Sequence, residues 1–199
     1  MSPSARPALQ ASFAVSSRLT PRRAARVLTD LWFTVPRKRM PASPDQPPGC
    51  TTRTLSSGNG AVRTRSWGTG PLVVFVHGWG GSGAQVHGFV EPLLRRGLRV
   101  VTFDAPGHGA AAGGHPAQTN AVEMAQTLRT VATEYGPIDT VVAHSLGAVA
   151  TVIAIRQGWA DPARLALIAP VTEVSSQLDR FADALGVSSA ARLHFDTEV

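Results

Sequence analysis

One cysteine in 199 residues, Cys50, leaves no partner for an intrachain disulfide and no cysteine cluster for a metal. A reducing, cytoplasmic compartment is the expectation. Long apolar runs are missing as well. None approaches the ~20 residues of a membrane-crossing helix, which excludes an integral span, and charges break up the ~7 to 15 apolar residues a signal peptide needs. There is no internal repeat, and the length suits one domain with a sizeable core. Acidic residues are scarce at one end only. Residues 1–65 hold eleven Lys+Arg against two Asp+Glu, a balance of +9; residues 66–199 hold eight against eleven, a balance of −3, and together they make the formal +6.

The basicity therefore belongs to an N-terminal extension, residues 1–49. Residues 1–17, rich in Ser, Ala and Pro, read as disordered. Thr20-Pro21 is a helix start, and residues 22–35 mix arginines with Leu28, Leu31, Trp32 and Phe33 in a short basic amphipathic helix. Five prolines mark residues 36–49 as a linker. A basic amphipathic helix can lie on an anionic membrane or contact nucleic acid. This one is short and its arginines form no long stripe, so the expectation is packing on the main domain with the arginines in water, and no nucleic-acid partner.

From residue 50 on, strand and helix patterns alternate. Residues 51–55 and 61–67, around Ser-Ser-Gly-Asn-Gly, read as an antiparallel hairpin. Strands follow at 72–76, 98–103, 138–143 and 164–169, with helices at about 84–96, 120–135, after Ser145 and at 175–185. Such alternation predicts an α/β fold, a mostly parallel sheet with helices on both faces.

Chemistry gathers where strands end. The β-branched run 138–143 meets the small-residue helix LGAVATVIAIRQG at Ser145, which places that hydroxyl on a sharp strand-to-helix turn beside free helix N–H groups. Ala143-His144-Ser145-Leu146-Gly147 resembles the G-x-S-x-G nucleophile elbow of the α/β-hydrolases, with alanine for the first glycine. His77-Gly78-Trp79-Gly80-Gly81-Ser82-Gly83, after the strand at 72, is similar to that family's oxyanion loop, and Asp104-Ala105-Pro106-Gly107-His108-Gly109 to its D-x-x-G-x-G turn. The resemblance implies a serine hydrolase of a small carboxylic ester, thioester, lactone or amide, working without a cofactor. Ser145 would form the acyl-enzyme, and the N–H groups of Trp79 and Leu146 would hold the oxyanion. His77, Gly78, His144 and Gly147 would be structural members of the motifs. Family members that displace halide from carbon carry aspartate where this chain has Ser145.

In that family the acid and the histidine follow the serine on later strands. Here one strand follows, so the expectation is a core at residues 50–174 lacking its last two strands, then the start of a cap at 175–199. The strand at 164 becomes an apolar edge through which the chain would self-associate. Six histidines are candidates for the base. His77 holds the loop, His144 points away from its neighbour's hydroxyl, His108 is a turn residue about two strand spacings off, His87 is on a helix and His115 is in a glycine-rich loop. His194 alone follows the serine, without a strand to position it. Asp104 reads as structural, and Glu173 and Asp179 as helix-capping or surface acids with a smaller claim to the triad. Two readings follow: a serine hydrolase, or a catalytically impaired hydrolase-like fragment with at most a binding role.

Overall fold

The computed structural model describes residues 5–36, 46–58, 60–109 and 118–198. His115 and most of the expected proline linker lie outside them. The chain forms two compact units: Val35–Val171, and a second that joins Met1–Thr34 to Thr172–Val199.

The first unit is a six-stranded sheet. Strands β1 (Thr51–Ser57) and β2 (Gly60–Trp67) form the hairpin, and β3 (Leu72–Val76), β4 (Arg99–Asp104), β5 (Ile138–His144) and β6 (Arg164–Ile168) complete it in the order β1-β2-β4-β3-β5-β6. β1 with β2, and β2 with β4, run antiparallel, and the remaining pairs are parallel. The all-apolar β3, LVVFV, is buried along its whole length because both faces are covered. Its alternate side chains divide between two cores. Val74 and Val76 join Val101, Phe103 and Val141 against Met124, Leu128 and Val131 of α4 (Ala121–Tyr135) and the alanines of α5 (Leu146–Arg156). Val73 and Phe75 join Trp67 and Val100 against Val90 and Leu94 of α3 (His87–Leu94). Local chemistry sets the ends of α4: the Asn120 side chain accepts from the Glu123 N–H at 3.0 Å, and Gly136, at φ 90°, closes the helix. β6 is the sheet's edge, and Leu165, Leu167 and Ile168 on it are 41–46% exposed.

The second unit brings residues from the two ends of the chain together. Residues 1–17 were expected to be disordered, yet α1 (Ala5–Leu19) is helical. The basic helix α2 (Pro21–Phe33) packs on the C-terminal helices α6 (Val174–Ala184) and α7 (Ser189–Glu198). Phe13, Ala25 and Leu28 are buried with Ala182 and Phe195, and Trp32 meets Phe181 and Phe195 edge-on at 5.3 and 6.3 Å. Two hydrogen bonds between Ser17 and Ser188 and one from Gln10 to the Ala184 carbonyl fasten α1 to the tail. A 15-residue Ala/Ser-rich helix is marginal alone, and composition is blind to a partner more than 160 residues away. The tail, expected to begin a cap, supplies α6 and α7 to this bundle.

Candidate active site

β5 and α5 meet at Ser145, whose backbone adopts φ 52°, ψ −120°. A non-glycine residue there costs on the order of 1 to 3 kcal/mol and persists only where the surroundings enforce it. They do so from three sides. The Ser145 N–H donates to the Ile168 carbonyl at the end of β6 (3.0 Å), and its carbonyl accepts from the Ala148 N–H (3.0 Å). Gly147 lies so close to the end of β3 that a Cβ would stand 2.5 and 2.6 Å from the Val76 and His77 carbonyl oxygens. The half-buried serine is thus held at the carboxyl ends of the parallel strands.

The loop after β3 reaches the same place. A Cβ on Gly78 would fall 2.9 Å from the Ser145 Cβ and 3.1 Å from His144 Nδ1, so loop and elbow are in direct contact. Trp79 comes next, half-buried. Among the described residues no backbone carbonyl accepts from the N–H of Trp79 or of Leu146. Leu146 is the first residue of α5, where a helix leaves its N–H groups without an intrahelical acceptor.

His77 is fully engaged. Its Nδ1–H donates to the Gly78 carbonyl (2.8 Å) and its Nε2 accepts from the Ala105 N–H (3.0 Å), which ties the loop to the end of β4 and selects one tautomer. Burial, reinforced by neighbouring His108, lowers its pKa from 6.5 to about 4. The folded state therefore requires neutral His77. Stability is complete above pH 6.5 and is lost as pH falls toward 4, by about 3 kcal/mol over that window. Urea unfolding at pH 7.5 and 4.5 checks this: His77→Asn should flatten the decline, and equal slopes in both proteins would refute it.

His108 lies in the turn after β4, a strand two places from β5 in the sheet. It is buried, with its ring 4.9 Å from that of His77 and 5.3 Å, edge-on, from Trp79. The turns after β3 and β4 fold toward each other, which strand spacing cannot register. Its Nδ1–H donates to the Pro106 carbonyl (2.9 Å), Nε2 has no partner, and burial lowers its pKa. Asp104, at the head of the same turn, is fully buried. It accepts from both Arg65 Nη atoms at 3.3 Å and from the Gly83 N–H at 2.8 Å. Arg65 was not singled out from the sequence; its signal is an arginine two residues before the end of an otherwise buried strand segment.

His87 is buried edge-on against Trp67 at 5.7 Å. His144 is exposed, and no imidazole hydrogen-bonds the Ser145 hydroxyl among the described residues. His194, Glu173 and Asp179 belong to the helical unit, where Glu173 accepts from the Ser176 hydroxyl and Asp179 pairs with Arg192 at 3.6 Å. Among the described residues no group of three or more His, Cys, Asp and Glu is arranged to hold a metal. A groove of about 1010 Å³ runs between β1 and α4, lined by Arg53, Ser57, Arg129 and Trp159, with no elbow or loop residue in its walls.

A model of the alpha/beta hydrolase family matches residues 73–198. The pimeloyl-[acyl-carrier protein] methyl ester esterase of Methylococcus capsulatus is 52% identical over 42 residues, 21% of this chain and 16% of that protein. Solved structures with the same fold include an epoxide hydrolase from an endophytic Streptomyces (TM-score 0.52, 24% identity, 61% of this chain and 37% of that one). A thermostable carboxyl esterase from Bacillus coagulans (0.51, 21%, 60% and 44%) and an epoxide hydrolase from Vigna radiata (0.55, 20%, 69% and 45%) also share it. The chain spans less than half the length of each of these relatives. With the strand order, the strained serine and a family match over more than half its residues, this chain belongs to the alpha/beta hydrolase family.

Proposed function

We propose that the sheet unit carries the acylation half of a serine hydrolase that acts on a small carboxylic ester, thioester, lactone or amide. One observation carries the reading: Ser145, at φ 52°, occupies a strained backbone position in contact with a loop that offers N–H groups. Strain of this kind is maintained where it aims a side chain. In the reaction, Ser145 Oγ attacks the carbonyl carbon and the N–H groups of Trp79 and Leu146 receive the oxyanion. Collapse expels the alcohol, thiol or amine and leaves an acyl-serine, which water hydrolyses. A serine at this position favours acyl transfer over displacement at saturated carbon, because attack there would leave an inert alkyl ether, whereas an aspartate would leave an ester that water can open. The acyl and leaving groups are not specified by the residues named here.

The base is proposed to come from outside the sheet unit, since His77 has both ring nitrogens bonded. A hydrolase without its base keeps roughly 10³ to 10⁴-fold acceleration over water through oxyanion binding and positioning. The expected result with p-nitrophenyl acetate is slow turnover and one acetyl group on the peptide that contains Ser145, found by mass spectrometry and absent in Ser145→Ala. Acetylation elsewhere, or none, would favour the second reading, an impaired hydrolase-like fragment that at most binds a ligand; among the described residues no imidazole bonds the Ser145 hydroxyl, which speaks for that reading. Turnover near the ~10 s⁻¹ typical of enzymes would mean that the chain holds its own base, with His194 the first to replace.

A further inference from the structure

The helical unit is electrically lopsided. Residues 1–34 carry five arginines and one acid, Asp30, whereas residues 172–199 carry two arginines and five acids. On the C-terminal side Arg192 pairs with both Asp179 and Asp183. The arginines of α2 lack such pairs. Arg22, Arg23 and Arg26 are exposed on α2, and among the described residues no carboxylate pairs with any of them. The face of α2 that carries Ala24, Ala25 and Leu28 is spent on the bundle core, so the arginines occupy the face left over.

Aliphatic side chains share that outer surface. Leu19, one residue before the Thr20-Pro21 corner, is 76% exposed, and Val15, one turn earlier on α1, is 57% exposed. Val27 (45%) and Leu31 (38%) repeat the pattern on α2, where Val27 stands one turn from Arg23 and Leu31 one turn from Val27. Basic and aliphatic groups therefore lie together around one helix corner. Exposed Leu and Val at this density have no role toward water.

We propose that this outer surface of α1 and α2 docks on an anionic lipid bilayer. Guanidinium groups reach headgroup phosphates while Leu19, Val15, Val27 and Leu31 enter the boundary just beneath them, the combination that holds an interfacial helix. A nucleic acid satisfies the arginines alone and leaves the four aliphatic side chains in water. No helix among the described residues is long and apolar enough to cross a membrane, so the attachment is peripheral.

The test is cosedimentation of the full chain with vesicles of phosphatidylcholine alone and of phosphatidylcholine with about one third phosphatidylglycerol, at low and high salt. Binding to the mixed vesicles only, weakened by salt, is the expected result. Each arginine at an anionic surface contributes about a fivefold gain in partition, so Arg22→Gln/Arg23→Gln/Arg26→Gln should lose roughly 100-fold. Leu19→Ser/Val27→Ser should lose about tenfold or more at unchanged charge. All five positions are exposed, and an unchanged thermal transition would show that these variants fold. Three outcomes overturn the proposal: no sedimentation with anionic vesicles, equal binding to the neutral ones, or release of the chain from vesicles by a short DNA duplex at matching phosphate concentration.

Discussion

Asp104→Ala should lower the unfolding free energy by about 3 to 5 kcal/mol, read as a shift of the urea midpoint at constant slope. The carboxylate is fully buried and accepts two bonds from Arg65, whose side chain is 10% exposed, and one from the Gly83 N–H. Removing it strands a guanidinium with almost no access to water and orphans a backbone donor. Against a total of ~5 to 15 kcal/mol, that is a large share. Asp104→Asn, which keeps an acceptor for Gly83, should cost less. Replacing both charges, Asp104→Leu with Arg65→Met, should recover much of the loss, since desolvation offsets most of what a buried pair contributes. A loss under about 1 kcal/mol in Asp104→Ala would mean that water reaches Arg65. Gly83 follows the loop that touches Ser145, so this pair also joins the end of β4 to the candidate site.

The second large effect is expected from a single methyl group. Gly147→Ala would put its Cβ 2.5 and 2.6 Å from two backbone carbonyl oxygens at the end of β3, well inside contact distance. Val76 is paired with Ala143 of β5 and the His77 ring is tied to the Ala105 N–H, so the backbone that carries these carbonyls is anchored on both sides. The cost should reach or pass the ~3 kcal/mol at the top of the usual overpacking range. Any acylation of Ser145 should fall with it, because the first turn of α5 must move away from the loop. Gly88→Ala in α3 is the control. Nothing lies within 4 Å of its Cβ, and a helical glycine exchanged for alanine should gain about 0.5 to 1 kcal/mol. Equal thermal stability of the two variants would show that the elbow tolerates a wider turn than its backbone contacts indicate.

Much of the sheet unit was legible because its signals are local. A valine-rich segment such as 72–76 is covered on both faces wherever it lies in the sheet, and Asn120 caps its helix through a hydrogen bond three residues away. The small residues around Ser145 and Gly78 announced a crowded turn, and the hairpin at 51–67 followed from alternation and a glycine turn. The residues that meet across the sheet were harder to see. Arg65 under Asp104, and His108 against Trp79, depend on which strands are neighbours and which way their end loops bend, and no spacing along the chain encodes that.

The sequence by itself determined the order of strands and helices in the sheet unit, the serine at a strand-to-helix turn and the basic character of the N-terminal extension, because periodicity, turn residues and charge are properties of short windows. Only the tertiary structure decided that residues 5–33 and 174–198 build one bundle, that Ser145 is held at φ 52°, and that leucine and valine stay exposed beside the arginines of α2. Phe13 and Phe195, buried in one cluster, show the reason. Either aromatic reads as incidental in its own segment, and burial of both stabilises two otherwise marginal helices only after chain ends some 180 residues apart have come together.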